Sequence, residues 1–162
     1  MLRITLGPMY AGKTSALMRD YDECIGSKII IDYNVVSVTD YSATLYNHDD
    51  KQVECIKRKK LGSYTQNNIF INEAQFFPNL SIFVKENHTK NIYIYGLDGD
   101  FQRNPIGQIL ELIPLCDTIT KLHSKCLCGN KAIFTHRVSN ETEQYMPHAK
   151  YIPCCRVCYL DK

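Results

Sequence analysis

The chain has 162 residues, 44% hydrophobic and 22% charged, enough for one domain with a real core or a core plus a small appendage. A net charge of +2 speaks against a nucleic-acid binder, which is usually strongly basic. No apolar stretch reaches the roughly 18 residues a membrane span needs, and the N-terminus opens on a strand without signal-peptide design, so the expected compartment is the cytosol.

Ile4–Leu6 reads as a buried strand that runs into "GPMYAGKT" at residues 7–14. The pattern G-x-x-x-x-G-K-[ST] is that of a Walker A loop. Ala16, Leu17 and Tyr21 then recur at helical spacing between Lys13 and about Cys24, so the loop opens a helix. In such a loop Gly7 and Gly12 permit the tight backbone path, Lys13 pairs with the β- and γ-phosphates and Thr14 ligates Mg²⁺. "KIIIDY" (28–33) and "NVVSV" (34–38) look like strand material. Residues 40–67 read as polar and irregular, with a mobile hairpin or loop, and their "KRKK" run (57–60) as a solvated turn rather than a phosphate-backbone patch.

"NIFIN" (68–72) and "NIYIYG" (91–96) are short buried strands with a helical stretch between them, Leu80–His88. That crossover predicts an α/β domain with a parallel central sheet. In "IFINEAQFF" (69–77), Glu73 stands at a strand end, where a P-loop enzyme places a carboxylate toward the γ-phosphate; a surface glutamate is the alternative. "GLDGDFQRNP" (96–105) also follows a strand end, where ligand loops emerge in α/β sheets, although a simple turn would read alike. "DTITKL" (117–122) offers one more strand.

Of eight cysteines, Cys24, Cys55 and Cys116 are scattered and read as reduced thiols, while five fall in the last 37 residues, in "KCLCGN" and "PCCRVC". Cys155-x-x-Cys158 has zinc-knuckle spacing, whereas Cys126-x-Cys128 is one residue short of it. Four thiolates would hold a structural Zn²⁺; thiols left from a site that once bound metal are the other reading. The expected division is a nucleotide-binding core, 1–122, and a zinc-binding segment, 123–162.

In their order, "GPMYAGK", "NEAQFFP", "LDGDFQRNP" and the pair "CLC" and "CRVCY" resemble the zinc-containing (type II) thymidine kinases of the cellular and poxvirus type, and "LIPL" (112–115) and "THR" (135–137) also fit. The resemblance runs from about residue 2 to 160. It implies a P-loop α/β core with a parallel central sheet, a small C-terminal zinc-ribbon-like lasso over the nucleoside, and a homotetramer. ATP and Mg²⁺ would be held by Gly7, Pro8, Met9, Tyr10, Ala11, Gly12, Lys13, Thr14, Asn72 and Gln75. Glu73 would be the general base that accepts the 5′-hydroxyl proton of deoxythymidine. Met9, Phe76, Leu97 and Phe101 would line the base pocket, Tyr151 would stack on the base, and lasso residues Thr142, Glu143, Gln144, Tyr145 and Met146 would meet the thymine edge. Cys126, Cys128, Cys155 and Cys158 would bind the zinc, and no nucleic acid or membrane partner is implied.

The sequence departs from that pattern in several places. Asn72 replaces an Asp expected near Mg²⁺, and Asp98 could offer another carboxylate. "VTD" (38–40) stands for an Asp-Thr-Arg element, "YMPHAK" (145–150) for a lasso Gly-Gly, and Ile106 for an aromatic residue, while the stretch between His48 and Glu73 is short. An active kinase is expected. A degenerate copy that binds nucleotide without turnover, or a zinc-ribbon module with a P-loop switch, are the alternatives.

Overall fold

The computed structural model describes residues 1–34, 41–144, 146 and 149–161. Eleven strands are present among them: β1 (Leu2–Leu6), β2 (Lys28–Tyr33), β3 (Tyr41–Tyr46), β4 (Gln52–Arg58), β5 (Asn68–Asn72), β6 (Asn91–Gly96), β7 (Thr118–Lys121), β8 (Ser124–Lys125), β9 (Lys131–Ala132), β10 (Phe134–Arg137) and β11 (Tyr151–Cys154). The helices are α1 (Lys13–Glu23), α2 (Leu80–Glu86) and α3 (Arg156–Leu160), with 3₁₀ turns at Ala74–Phe76 and Ile109–Leu115.

Seven strands form the central sheet in the order β3-β4-β2-β5-β6-β1-β7, parallel throughout except for β3 against β4. All five residues of β5 are buried, as expected for an apolar strand covered on both faces. Strand alternation divides the core in two. Ile31, Ile69, Ile71, Ile92 and Ile94 pack with α2 and the 109–115 turn, through Leu80, Phe83, Ile109 and Leu112. Ile30, Phe70, Tyr93 and Tyr95 pack with Ala16, Leu17 and Met18 of α1. On this side Phe70 and Tyr93 stack with ring centroids 4.2 Å apart.

The strand and helix readings at 4–6, 13–24, 28–33, 68–72, 80–88, 91–96 and 117–122 all correspond to observed elements, with ends shifted by a few residues. Two readings need correcting, at 41–58 and at 57–60, and a third lies almost wholly outside the described residues. Asn34 lies just past β2, and the rest of "NVVSV", with "VTD", falls on residues outside those described. The hairpin expected within 40–67 is present as β3 and β4, but residues 41–58 are not irregular, since β4 extends the sheet by pairing with β2. Asn47 closes its turn, its Oδ1 accepting from the backbone N–H groups of Asp49 at 3.0 Å and Lys51 at 2.9 Å. The "KRKK" run is likewise only half a solvated turn. Lys57 and Arg58 belong to β4, where Lys57 pairs with buried Asp32 and Arg58 lies over the Tyr64 ring, while Lys59 and Lys60 are exposed.

Beyond the sheet, β8–β9 and β10–β11 are small antiparallel pairs, and α3 follows β11. The P-loop leaves the C-terminal end of β1, Glu73 that of β5 and the Leu97–Phe101 loop that of β6. Because β6 lies between β1 and β5, these ends are neighbours, at the edge where parallel sheets bind ligands.

Candidate active site

A cavity of about 340 Å³ opens over these strand ends. From the P-loop it takes Met9 to Ser15, from β5 Glu73 and Phe76, and from the β6 loop Leu97, Gly99, Asp100, Phe101 and Ile106. Thr135, Gln144 and Tyr151 close it from the C-terminal segment, and His48 from the β3–β4 hairpin. Thus Met9, Tyr10, Ala11, Gly12, Lys13, Thr14, Glu73, Phe76, Leu97, Phe101, Gln144 and Tyr151, far apart in sequence, share one wall system.

Other residues named from the sequence lie outside this lining. Gly7 and Pro8 sit behind it, their carbonyls accepting from Lys13 Nζ at 3.1 and 2.8 Å. Asn72 is buried and turns its amide toward Asp32 on β2, with Nδ2 donating to Oδ1 at 2.8 Å. Thr142, Glu143 and Met146 do not line the cavity, and Tyr145 falls outside the described residues. Asp98, the proposed spare carboxylate, pairs with Lys121.

Gln75 acts as a strut behind the wall. Its Nε2 donates to Glu73 Oε2 at 2.6 Å and its Oε1 accepts from the Leu97 N–H at 3.1 Å, so one buried amide fixes the ends of β5 and β6 together. Gly96 and Gly107 make room for it: a Cβ at either would come within 2.5 Å of Gln75. Glu73 itself has left-handed backbone (φ 49°, ψ 41°), a conformation that costs a non-glycine residue about 1–3 kcal/mol and that clusters at functional sites. Burial pushes the Lys13 ammonium below its usual range, and the charges of Glu73 and Asp98 pull it back up.

The far end of the cavity is organised by Arg137, which is only 3% exposed. Its guanidinium lies 3.9 Å from the Phe101 ring centroid and donates to the Tyr151 hydroxyl at 2.7 Å and the Glu141 carbonyl at 2.7 Å. Gln144 reaches across to Asp100, with Nε2 donating to Oδ2 at 3.1 Å, and Asp100 Oδ1 holds the following turn through the N–H groups of Gln102 and Asn104, each at 2.9 Å. Sequence reasoning gave no role to Arg137, Asp100 or His48. Asp100 stood in a quoted motif, but nothing local marks His48, which only the hairpin brings beside Tyr10, with ring centroids 5.5 Å apart.

The irregular Cys126-x-Cys128 pair does meet Cys155 and Cys158. All four sulfurs lie within 4.8 Å of one another, and Cys128 and Cys155 are 3.6 Å apart. A tetrahedral zinc with bonds near 2.3 Å needs sulfurs about 3.8 Å apart, so the group fits a structural site. The short spacing works because the β8–β9 turn is tight: the Gly129 N–H donates to the Cys126 carbonyl at 2.8 Å, with Gly129 at φ 88°. Backbone N–H groups of Cys128 and Cys155 pull the Cys126 thiol down to about 6, while the neighbouring sulfurs, Cys128 first, push Cys158 up to about 12. A divalent cation relieves that crowding of acidic groups.

The sequence model of the family described as thymidine kinase matches residues 1–159. The chain belongs to the thymidine kinase family. A thymidine kinase of Oryza sativa subsp. japonica is 34% identical over 179 aligned positions, covering 99% of this chain and 66% of the rice protein. The cytosolic thymidine kinase of Homo sapiens is 33% identical over 174 positions, covering 99% of this chain and 74% of the human one. The thymidine kinase of Vaccinia virus (strain Western Reserve) is 33% identical over 175 positions and is covered to 97% of its length. Among the described residues, no helix is long and apolar enough to cross a membrane.

Proposed function

We propose that this chain is an ATP-dependent thymidine kinase that phosphorylates deoxythymidine at its 5′-hydroxyl to give thymidine monophosphate, a salvage step in DNA-precursor synthesis. The observation that carries this reading is that Glu73 and Lys13 face one cavity whose far end is closed by Leu97, Phe101 and Tyr151. The flat faces of a pyrimidine base fit between such side chains. Its sugar would then point toward Glu73.

In this reading Glu73 Oε accepts the 5′-hydroxyl proton as that oxygen bonds to the γ-phosphorus. The bond from the γ-phosphorus to the bridging oxygen breaks, and ADP leaves with the electron pair. Lys13 faces the phosphate oxygens, and ligand arrival replaces its bonds to the Gly7 and Pro8 carbonyls. Thr14 would hold Mg²⁺, which with donor oxygens and water supplies charge neutralisation at the phosphates. Gln75 keeps the Glu73 carboxylate aimed. The four-cysteine group would hold a structural Zn²⁺.

Purified protein given labelled thymidine, ATP and Mg²⁺ should yield thymidine monophosphate. Glu73→Gln should lower the rate by about 10²–10⁴-fold and leave ATP affinity nearly intact. Retention of more than about a tenth of the rate removes Glu73 as the base. The reading includes a cytosolic homotetramer; β7 is an exposed edge strand suited to subunit contact, and light scattering of the purified protein tests the assembly.

A further inference from the structure

The β3–β4 hairpin ends over the P-loop, and its turn is tied to α1 at two points. Asn47 Nδ2 donates to Ser15 Oγ at 3.0 Å, and Lys51 pairs with Asp22. The Asn47 Oδ1 meanwhile closes the turn on the N–H groups of Asp49 and Lys51, so one amide sets both the shape of the turn and its place on the helix. His48 follows directly. Its ring lies against that of Tyr10, with planes tilted by 39°, and it lines the cavity beside Lys13, Thr14 and Ser15. The residue is exposed, and among the described residues neither ring nitrogen has a hydrogen-bond partner. The fold does not need this imidazole.

The phosphate end of the cavity is short of cations. Among its described lining residues only Lys13 and His48 can carry positive charge, against the carboxylates of Glu73 and Asp100. "VTD" (38–40), which stands for an Asp-Thr-Arg element, brings no basic residue either. A γ-phosphoryl group in transfer spreads negative charge over three equatorial oxygens, and donors held against them in the transition state lower the barrier directly. One ammonium does not cover three oxygens. An imidazole offers a ring N–H in either tautomer, and two when protonated.

We propose that His48 is a further catalytic residue, whose ring N–H donates to an equatorial oxygen of the transferring γ-phosphoryl group from the hairpin side of the cavity. The inference rests on the kinase reading and adds no step to it. The bond to the 5′-oxygen forms, the bond to the bridging oxygen breaks, Glu73 takes the hydroxyl proton, and His48 keeps its own. Asn47 is the positioning residue that holds the His48 turn on the helix carrying Thr14 and Ser15.

His48→Ala should lower kcat by roughly 10²- to 10³-fold, with the KM for ATP and for thymidine within about threefold of wild type. His48→Gln, which keeps an N–H at similar reach, should recover at least about tenfold of that loss. His48→Phe keeps a ring against Tyr10 and removes the donor, so it should be as slow as His48→Ala. A His48→Phe variant with wild-type kcat overturns the proposal, since the ring would then serve packing alone. So does a raised KM for ATP with kcat unchanged, which would confine His48 to the resting nucleotide. Calorimetry provides a measurement without turnover. In the presence of thymidine, His48→Phe should bind MgADP with aluminium fluoride, a mimic of the transferring group, more weakly than wild type by about the factor lost in kcat. MgADP alone should bind as in wild type, and equal weakening of the two overturns the proposal. A wild-type protein that makes no thymidine monophosphate fails the kinase reading and this proposal with it. An active wild type whose kcat is indifferent to position 48 fails this proposal only.

Discussion

Asn72 Nδ2 donates to Asp32 Oδ1 at 2.8 Å, between the paired ends of β5 and β2, and Lys57 holds the second Asp32 oxygen. Both Asn72 and Asp32 are under 5% exposed. The family's aspartate position is thus engaged with a neighbouring strand and does not reach the cavity. Asn72→Asp should therefore leave the Mg²⁺ requirement within about twofold of wild type, since Mg²⁺ sites depend on one or two carboxylates only where these reach the ion. The substitution should cost stability instead, by roughly 2 kcal/mol or more, because it sets a second carboxylate against a buried one. The like charge raises the folded pKa of one of the pair, so the loss is fully present at neutral pH and eases as pH falls through that raised value. Thermal melts at two pH values and a magnesium titration check the prediction. A lower magnesium requirement would place position 72 at the metal after all.

Lys13 is held in the P-loop at a cost to the ligand-free fold. Its pKa is depressed by burial, so the folded state binds its proton less tightly than the unfolded chain does. The penalty is complete below the lowered pKa and fades as pH rises toward the ordinary value of 10.5. Lys13→Met should leave the ligand-free protein at least as stable as wild type at neutral pH and flatten its stability between the depressed value and 10.5. The same variant should lose ATP-dependent turnover and the thermal stabilisation that MgATP gives wild type. A variant that melts several degrees lower without ligand would show that the two carbonyl bonds outweigh the burial.

Where hydrophobic periodicity was unbroken, the fold was legible from residues alone. "NIFIN" and "NIYIYG" are buried strands whatever surrounds them, and the P-loop carries its own backbone requirements. The β3–β4 hairpin was legible only as a hairpin or loop: Ala43, Leu45, Val53 and Cys55 alternate with polar residues as a half-buried strand does, but its place in the sheet depends on pairing with β2, which no local pattern encodes. Within the site, Glu73 and Lys13 stood in local motifs. The couplings did not: Gln75 to Leu97, Arg137 to Phe101 and Asn72 to Asp32 each join residues that only the folded chain brings together.

Arg137 should prove to be a positioning residue for the acceptor. It braces Phe101, Tyr151 and the Glu141 carbonyl at once and does not itself line the cavity. A buried cation over an aromatic ring is worth about 2 kcal/mol, and lysine cannot reproduce the guanidinium's fork. Arg137→Lys should raise the KM for thymidine by about tenfold, with a smaller change in kcat and no change in the KM for ATP. Equal losses for both substrates would indicate general unfolding of the segment, which a melting curve would show.

Zinc analysis of protein prepared without chelator and kept reduced should give about one atom per chain, since the four cysteine sulfurs lie within 4.8 Å of one another. The path from that site to the cavity wall runs through α3: the Tyr159 hydroxyl donates to the carbonyl of Phe101, which lines the cavity, at 2.6 Å, and the Arg103 guanidinium lies 4.6 Å from the Tyr159 ring centroid. Removing the metal, or Cys158→Ser, should loosen α3 and the β8–β9 hairpin together and raise the KM for thymidine. Tyr159→Phe keeps all four cysteines and removes only the bond to Phe101. It should retain the zinc, melt within a few degrees of wild type, and raise the KM for thymidine by about two- to tenfold, as expected for one buried hydrogen bond of roughly 0.5–1.5 kcal/mol. Its KM for ATP should not move, because the P-loop is untouched. If Tyr159→Phe leaves the KM for thymidine unchanged while zinc removal raises it, the metal acts on the nucleoside pocket by a route other than Phe101, and the β10–β11 pair that carries Arg137 and Tyr151 is the remaining connection.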